Sequence, residues 1–375
     1  MAVVIYLYFA LNLLPHTMQL DLFPVSINYI LFGFFILCTF HRYKLSITKD
    51  TYPMMLLVLL SITSIAYAPD KLDAVKQVLS LIFVCLIGMR ASNIFTAGNI
   101  TLLIKSFSLL CVVYVIISFF TLSILRDWEG AYIGLSGNRH NSSFLLGLMA
   151  LINIVNLVNF RALLFKLLSL SLFFLCNYII FETTARIGYF LQIVFLIFFI
   201  PYFIVSSSKL VKSLIIFFLV CSFIFLLSLD SVQEYIIFSI ERGATGRNEI
   251  NEVLLDFLSF HGGLFYLFGF GFGSLEHYSL LSKLFIRDAN NIIAALFTLG
   301  GLGVWLYILI FYKMIRFYFS NLFCLEKIIY STFFFAIFLI PSETTWFNFN
   351  YVYTFFMYFF YFIAFKDDNY VYKKR

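Results

Sequence analysis

Long apolar runs alternate with short polar breaks along almost the whole chain. A helix that crosses the hydrocarbon of a bilayer needs roughly 20 apolar residues. Runs of about that size fall at 2–14, 20–40, 52–68, 76–95, 100–124, 142–160, 163–182, 187–205, 212–229, 291–312, 326–341 and 349–365. All twelve predict helices, because backbone exposed to lipid must satisfy its own hydrogen bonds. The start, "MAVVIYLYFALNLLPHT", lacks a basic opening and a small-residue cleavage site. It reads as a retained first span that ends at Pro15, not as a signal peptide.

Composition agrees with the pattern. Hydrophobic residues make up 62% of the chain, charged residues 12%, and the mean hydropathy is +0.98. Soluble domains run about 45–50% apolar and about 25% charged. So much apolar surface must face lipid, and no stretch has the polarity of a separate soluble domain. The expected fold is therefore all-α: a polytopic integral membrane protein whose residues 1–375 form one transmembrane domain. The six cysteines (Cys38, Cys85, Cys111, Cys176, Cys221 and Cys324) form no C-x-x-C pair and no disulfide framework. Nothing suggests a cofactor, a metal or a nucleic-acid partner.

Charge orients the spans. With the N-terminus in the cytoplasm, one set of loops holds Arg42, Lys44, Lys49, Arg90, Arg161, Lys166, Lys209, Lys212, Lys313, Arg316, Lys327 and the tail "VYKKR". Only Asp50, Glu326, Asp367 and Asp368 oppose them. Almost all other acidic residues belong to the opposite set, so the positive-inside rule puts both termini in the cytoplasm. Two outward breaks are long, 125–141 and 230–290. The larger contains an amphipathic piece, "NEINEVLLDFLSF", with Ile250, Val253, Leu254 and Leu258 at helical spacing. Loops of this length are usually functional or disordered, and this one is too rich in aromatics for disorder.

The outward breaks hold the candidate chemistry. Arg126, Arg139, Arg186, Arg242, Arg247 and Arg287 all lie there. Arginine presents a permanently charged planar fork that suits phosphate and carboxylate, so the set points to an anionic substrate. The alternative for any one of them is a local ion pair. In "TTARIGYF", Arg186 stands at the mouth of a span, where an ionisable group usually faces a wet cavity. In "ERGATGRNEINE", Arg242 and Arg247 alternate with glutamates, Glu249 among them. "LFGFGFGS" lacks the spacing of a nucleotide-binding glycine loop and reads as a turn that lets backbones approach closely. In "RDANNIIAALFTLGGLG", Asp288, Asn290 and Asn291 can cap the next helix, whose N-terminus also suits an anion. His140, between Arg139 and Asn141, is the histidine best placed for acid–base work; the others, His16, His41, His261 and His277, are scattered.

In their order and placement these segments resemble the O-antigen polymerases and ligases of bacterial envelopes. "GLSGNRHNSSFLLGL" is similar to that family's stretch before the sixth span, and "TTARIGYF" to its Ser/Thr-Arg entry to the eighth. "TGRNEI", "LFGFGFGS" and "ANNIIAALFTLGGLG" resemble its later motifs. The resemblance covers most of the chain. It implies about twelve transmembrane helices, two large periplasmic loops and residence in the bacterial inner membrane. It also implies a metal-independent glycosyltransferase that joins undecaprenyl-pyrophosphate-linked oligosaccharides in lipopolysaccharide biosynthesis, with membrane lipid and a chain-length regulator as partners. His140, Glu249 and Asp288 would be the candidate bases. Arg139, Asn141, Arg186, Arg242, Arg247, Arg287, Asn290 and Asn291 would bind substrate. Ligases of the family carry His-Asn where this chain has Asn290–Asn291, which turns the expectation from ligase toward polymerase. A lipid-linked oligosaccharide flippase is the rival reading; transporters place polar groups at mid-membrane, whereas these cluster in outward loops.

Overall fold

A computed structural model describes residues 33, 48–94, 97–160, 162–206, 250–275, 277–278, 290–340, 346 and 352–365. Among these every regular element is a helix, joined by turns and loops, and the one β pairing is an isolated antiparallel bridge between Arg126 and Tyr132. The helices are α1 (Tyr52–Ser64), α2 (Lys71–Ile94), α3 (Ala97–Phe120), α4 (Arg139–Asn159), α5 (Leu163–Glu182) and α6 (Ile187–Ser206). They continue with α7 (250–261), α8 (Leu264–Phe268), α9 (Asn291–Ser320), α10 (Leu325–Phe338) and α11 (Val352–Ala364).

Among the described residues four helices are long and apolar enough to cross a membrane: Lys71–Met89, Arg139–Val158, Leu163–Glu182 and Asn291–Ser320. The protein is thus a membrane-embedded helical bundle. α4 is its centre and α5 its edge, since 78% of the apolar window of α4 is buried against 28% of that of α5. α5 turns Leu163, Leu164, Phe174 and Phe181 outward, as a lipid-facing helix must. α4 packs on α5 and α6; α6 packs on α10, α10 on α11, α11 on α2, and α1 lies against α9.

Aromatic rings pack against one another between α6, α10 and α11. Phe333 stacks on Phe360 with ring centroids 5.0 Å apart, and Phe198 on Phe335 at 4.2 Å. Rings in such contact add to their area burial through their quadrupoles. Polar groups inside the bundle are tied locally. Asn153 Nδ2 donates to the Met149 carbonyl at 2.9 Å, and the Tyr307 and Tyr358 hydroxyls meet at 3.0 Å. At the end of the bundle where α1 begins, Lys313 Nζ pairs with Asp50 Oδ1 at 2.7 Å, and the Tyr361 hydroxyl donates to the Asp50 carbonyl at 2.6 Å.

The structure departs from the hydropathy reading in several places. α4 starts at Arg139, so Arg139, His140 and Asn141 form the first helical turn and not the end of a loop. α9 runs on to Ser320. In α7, Ile250, Leu254 and Leu258 are buried, but Val253 is 40% exposed, and the half-buried Phe257 continues the inward stripe.

Candidate functional site

Two polar clusters are built where helices begin. The first surrounds the entry to α4. Asn138 precedes the helix with extended backbone, and its side chain accepts from the amides of His140 at 2.8 Å and Asn141 at 3.4 Å. That is an N-cap, which satisfies donors a helix start leaves orphaned. Arg139 follows, a cation at the positive end of a helix dipole, which is unfavourable by itself. Acids offset it: its guanidinium pairs with Glu129 and lies 3.6 Å from Asp127. Asp127 also ties the turn together, accepting from the amides of Glu129 at 3.0 Å and Ala131 at 2.9 Å.

The same loop is bolted to the next one. Arg126 donates to Glu182 Oε2 at 2.7 Å, to the Gly130 carbonyl at 2.6 Å and to the Leu122 carbonyl at 2.9 Å. The Tyr132 amide donates to the Glu182 carbonyl at 2.9 Å. Ser142 Oγ donates to the Ile133 carbonyl at 2.6 Å and meets Ser136 Oγ at 2.7 Å.

Arg186 is brought to this cluster by a bridge from α4. Ser143 Oγ donates to the Ala185 carbonyl at 2.8 Å and accepts from the Gly188 amide at 3.1 Å. α4 and α6 touch there through glycine. A Cβ on Gly188 would strike the Ser143 carbonyl, and one on Gly147 would lie 2.9 Å from the Gly188 Cα. Small residues of this kind let helix backbones approach in a membrane. The turn ahead of Arg186 is unusual. Thr184 holds φ 54°, a left-handed conformation rare for a branched residue, and Thr183 Oγ1 accepts from the Ala185 amide at 3.2 Å. Arg139 and Arg186 therefore stand at the first turn of one helix and just before another, joined through Ser143 and Ala185.

The second cluster surrounds the entry to α9. Asn290 caps that helix, accepting from the Ile292 amide at 2.9 Å, and its own amide donates to Asn251 Oδ1 of α7 at 3.2 Å. Asn291 is buried, and its side-chain amide donates to the Ile340 carbonyl beyond α10. Both asparagines act as ties between elements, Asn290 half-buried and Asn291 inside.

Further along, α9 breaks at Gly300, with φ 67° and ψ −169°, a combination essentially confined to glycine. The break withdraws helical donors from two carbonyls. "GFGFG" supplies replacements: Phe270 N donates to the Phe297 carbonyl at 2.8 Å and Gly271 N to the Thr298 carbonyl at 2.9 Å. The glycines permit this contact. A Cβ on Gly269 would collide with the backbone of Thr298 to Gly300, and one on Gly300 with the backbone of Leu267. On its other side the segment meets the turn after α1, where the Phe272 amide donates to Ser64 Oγ at 3.3 Å. Close backbone approach is what these glycines provide. Nearby, burial raises the phenol of Tyr278 above the usual tyrosine value.

Arg139, His140, Asn141 and Arg186 thus fall in the first cluster, and Asn290 and Asn291 in the second. Arg242, Arg247, Glu249, Arg287 and Asp288 lie outside the described residues. The sequence reading gave no role to Asp127, Glu129, Glu182, Asn138, Ser142 or Ser143. Of these only Asn138 carried a local signal, an Asn just ahead of an apolar run. Among the described residues no group of three or more His, Cys, Asp or Glu side chains is arranged to hold a metal ion.

This is the architecture of a membrane-embedded helical protein with ordered polar machinery at helix entries. No protein-family model matches the chain, and no curated protein is detectably similar to it.

Proposed function

We propose that the protein is a membrane glycan transferase of the O-antigen polymerase kind. In this reading it joins undecaprenyl-pyrophosphate-linked oligosaccharide repeat units at the periplasmic face of a bacterial inner membrane. The observation that carries it is the placement of Arg139 and Arg186, from separate segments, at two adjoining helix entries. Helix N-termini and guanidinium groups both favour phosphate oxygens. The Lys/Arg distribution assigns these entries to the non-cytoplasmic side.

The chemistry is displacement at an anomeric carbon. An acceptor hydroxyl of one lipid-linked unit forms the new C–O bond, and the bond from the donor sugar to pyrophosphate breaks. The acceptor proton passes to a base, and undecaprenyl pyrophosphate leaves with the bonding pair. Charge builds on the leaving group, which arginine stabilises most effectively in a water-poor site. His140 is the base candidate nearest those arginines in the chain; Glu249 and Asp288 are the others. Arg139 pairs with Glu129 and Asp127; Arg186 stands just ahead of α6, at the mouth of that helix.

The test is lipopolysaccharide gel analysis of a deletion strain complemented with variants at matched membrane levels. Deletion should leave a single repeat unit on the core. Core without any unit would point to a ligase, and units trapped on the cytoplasmic side to a flippase. Arg186→Ala should abolish the polymer ladder, with poor rescue by Arg186→Lys because a point charge does not replace a bidentate fork. A full-length ladder from Arg186→Ala would overturn the reading.

A further inference from the structure

Residues 257–275, "FLSFHGGLFYLFGFGFGSL", contain no Asp, Glu, Lys or Arg, although acids flank them at Asp256 and Glu276. The hydropathy reading leaves the stretch within the outward break 230–290. Its folded form is not that of a solvated loop. Phe260 is 86% exposed and Leu264 72%, and none of the five residues of α8 is buried. A water-exposed loop seldom presents such a run of large apolar side chains.

The position of the segment says what covers them. α8 packs on α9 at Gly300, within a helix long and apolar enough to cross a membrane. Its end is fixed to the turn after α1, where the Tyr67 hydroxyl donates to the Phe268 carbonyl at 2.9 Å. Both neighbours carry exposed apolar residues of their own, Leu59 and Ile62 on α1 and Trp305 on α9.

We propose that 257–275 lies in the membrane, with the exposed side of α8 and the end of α7 sunk in the boundary between lipid head groups and acyl chains. The occupant of this face is the bilayer itself. Non-helical backbone is tolerated at such depth only when protein satisfies it. The non-helical part meets that condition: residues 269–274 are buried, and the amides of Phe270, Gly271 and Phe272 have protein acceptors. Apolar side chains of an interfacial helix reach about 5–10 Å into that boundary. The proposal is independent of any catalytic role.

The test uses tryptophan as a depth gauge. The full chain, carrying Trp128→Phe and Trp305→Phe with Leu264→Trp, is reconstituted in vesicles whose lipids are brominated either near the head group or near the chain end. The parent without Leu264→Trp corrects for Trp346, which is buried. Emission from position 264 should be blue-shifted, strongly quenched by shallow bromines, weakly by deep ones, and indifferent to aqueous iodide. Phe260→Trp gives a second reporter at an exposed site. Quenching by iodide and not by brominated lipid would place the segment in water and overturn the proposal. Protection from both quenchers would show a protein cover, such as a second copy of the chain, and would overturn it equally.

Discussion

The entry to α4 and the kink within α9 solve one problem with different materials. Around α4, side chains hold the loop: Asn138 caps, Ser142 and Ser143 bridge, and Arg126 and Arg139 pair with acids. At the Gly300 kink inside α9, main chain holds main chain, with glycine where a Cβ would collide. Side-chain ties are separable, so one can be lost while the others keep the shape. A joint made of backbone contact has no such redundancy, because one methyl group separates both surfaces at once. The first design suits a place where individual groups are tuned; the second suits a fixed pivot.

Substitutions can break this contrast or sharpen it. The largest effect should come from Gly300→Val, which puts a branched side chain at a positive φ and against the Leu267 backbone. A cost of roughly 3 kcal/mol or more is expected from strain and overpacking. It should appear as loss of folded protein in thermal unfolding of the detergent-solubilised chain. Wild-type stability for Gly300→Val would mean that the α8–α9 contact is not rigid.

Next is Gly188→Ala. Its methyl meets the Ser143 carbonyl, and about 1–3 kcal/mol should be lost. The same unfolding assay measures it. If Ser143→Ala costs as much as Gly188→Ala, side chains dominate this crossing; if it costs less, the glycine contact does.

Asn138→Ala should cost about 1 kcal/mol through the lost cap, and Asn290→Ala about the same. Equal effects would show that caps behave alike in the two clusters and that the contrast lies in the glycines alone. The smallest effect belongs to Arg126 and Glu182. A double-mutant cycle with Arg126→Ala and Glu182→Ala should give a coupling below about 1 kcal/mol, because the pair is partly exposed. That coupling should shrink as salt rises, and a salt-independent value would mark the pair as more deeply enclosed than the structure has it.

The sequence made the spans legible and most of the joinery illegible. Apolar runs at 163–182 and 187–205 match α5 and α6 almost residue for residue, because lipid imposes a length. The start of α4 was misplaced because a helix begins where its amides are capped, at Asn138, and not where hydropathy rises, at Ser142. Asn291 was grouped with Asn290 as a cap and substrate-binding residue, yet one step around a helix turns it inward toward Ile340. The partners of Arg139 were near in sequence, and a local ion pair was a stated alternative. Glu182 could not be matched to Arg126, since nothing local links positions 56 residues apart. The kink at Gly300 was equally hidden: glycine permits a break, but the backbone of 267–271 decides which glycine breaks.

The Asp50–Lys313 pair has a consequence for how the chain is made. Its partners are 263 residues apart, and the Ser64–Phe272 contact at the other end of α1 spans 208. At about 5–20 residues per second of synthesis, roughly 13 to 50 s pass between the emergence of Asp50 and that of Lys313. For that interval the Asp50 carboxylate just ahead of α1 has no α9 lysine to meet. The first of these helices is thus among the last to be tied, and a nascent chain halted before α9 lacks this tie.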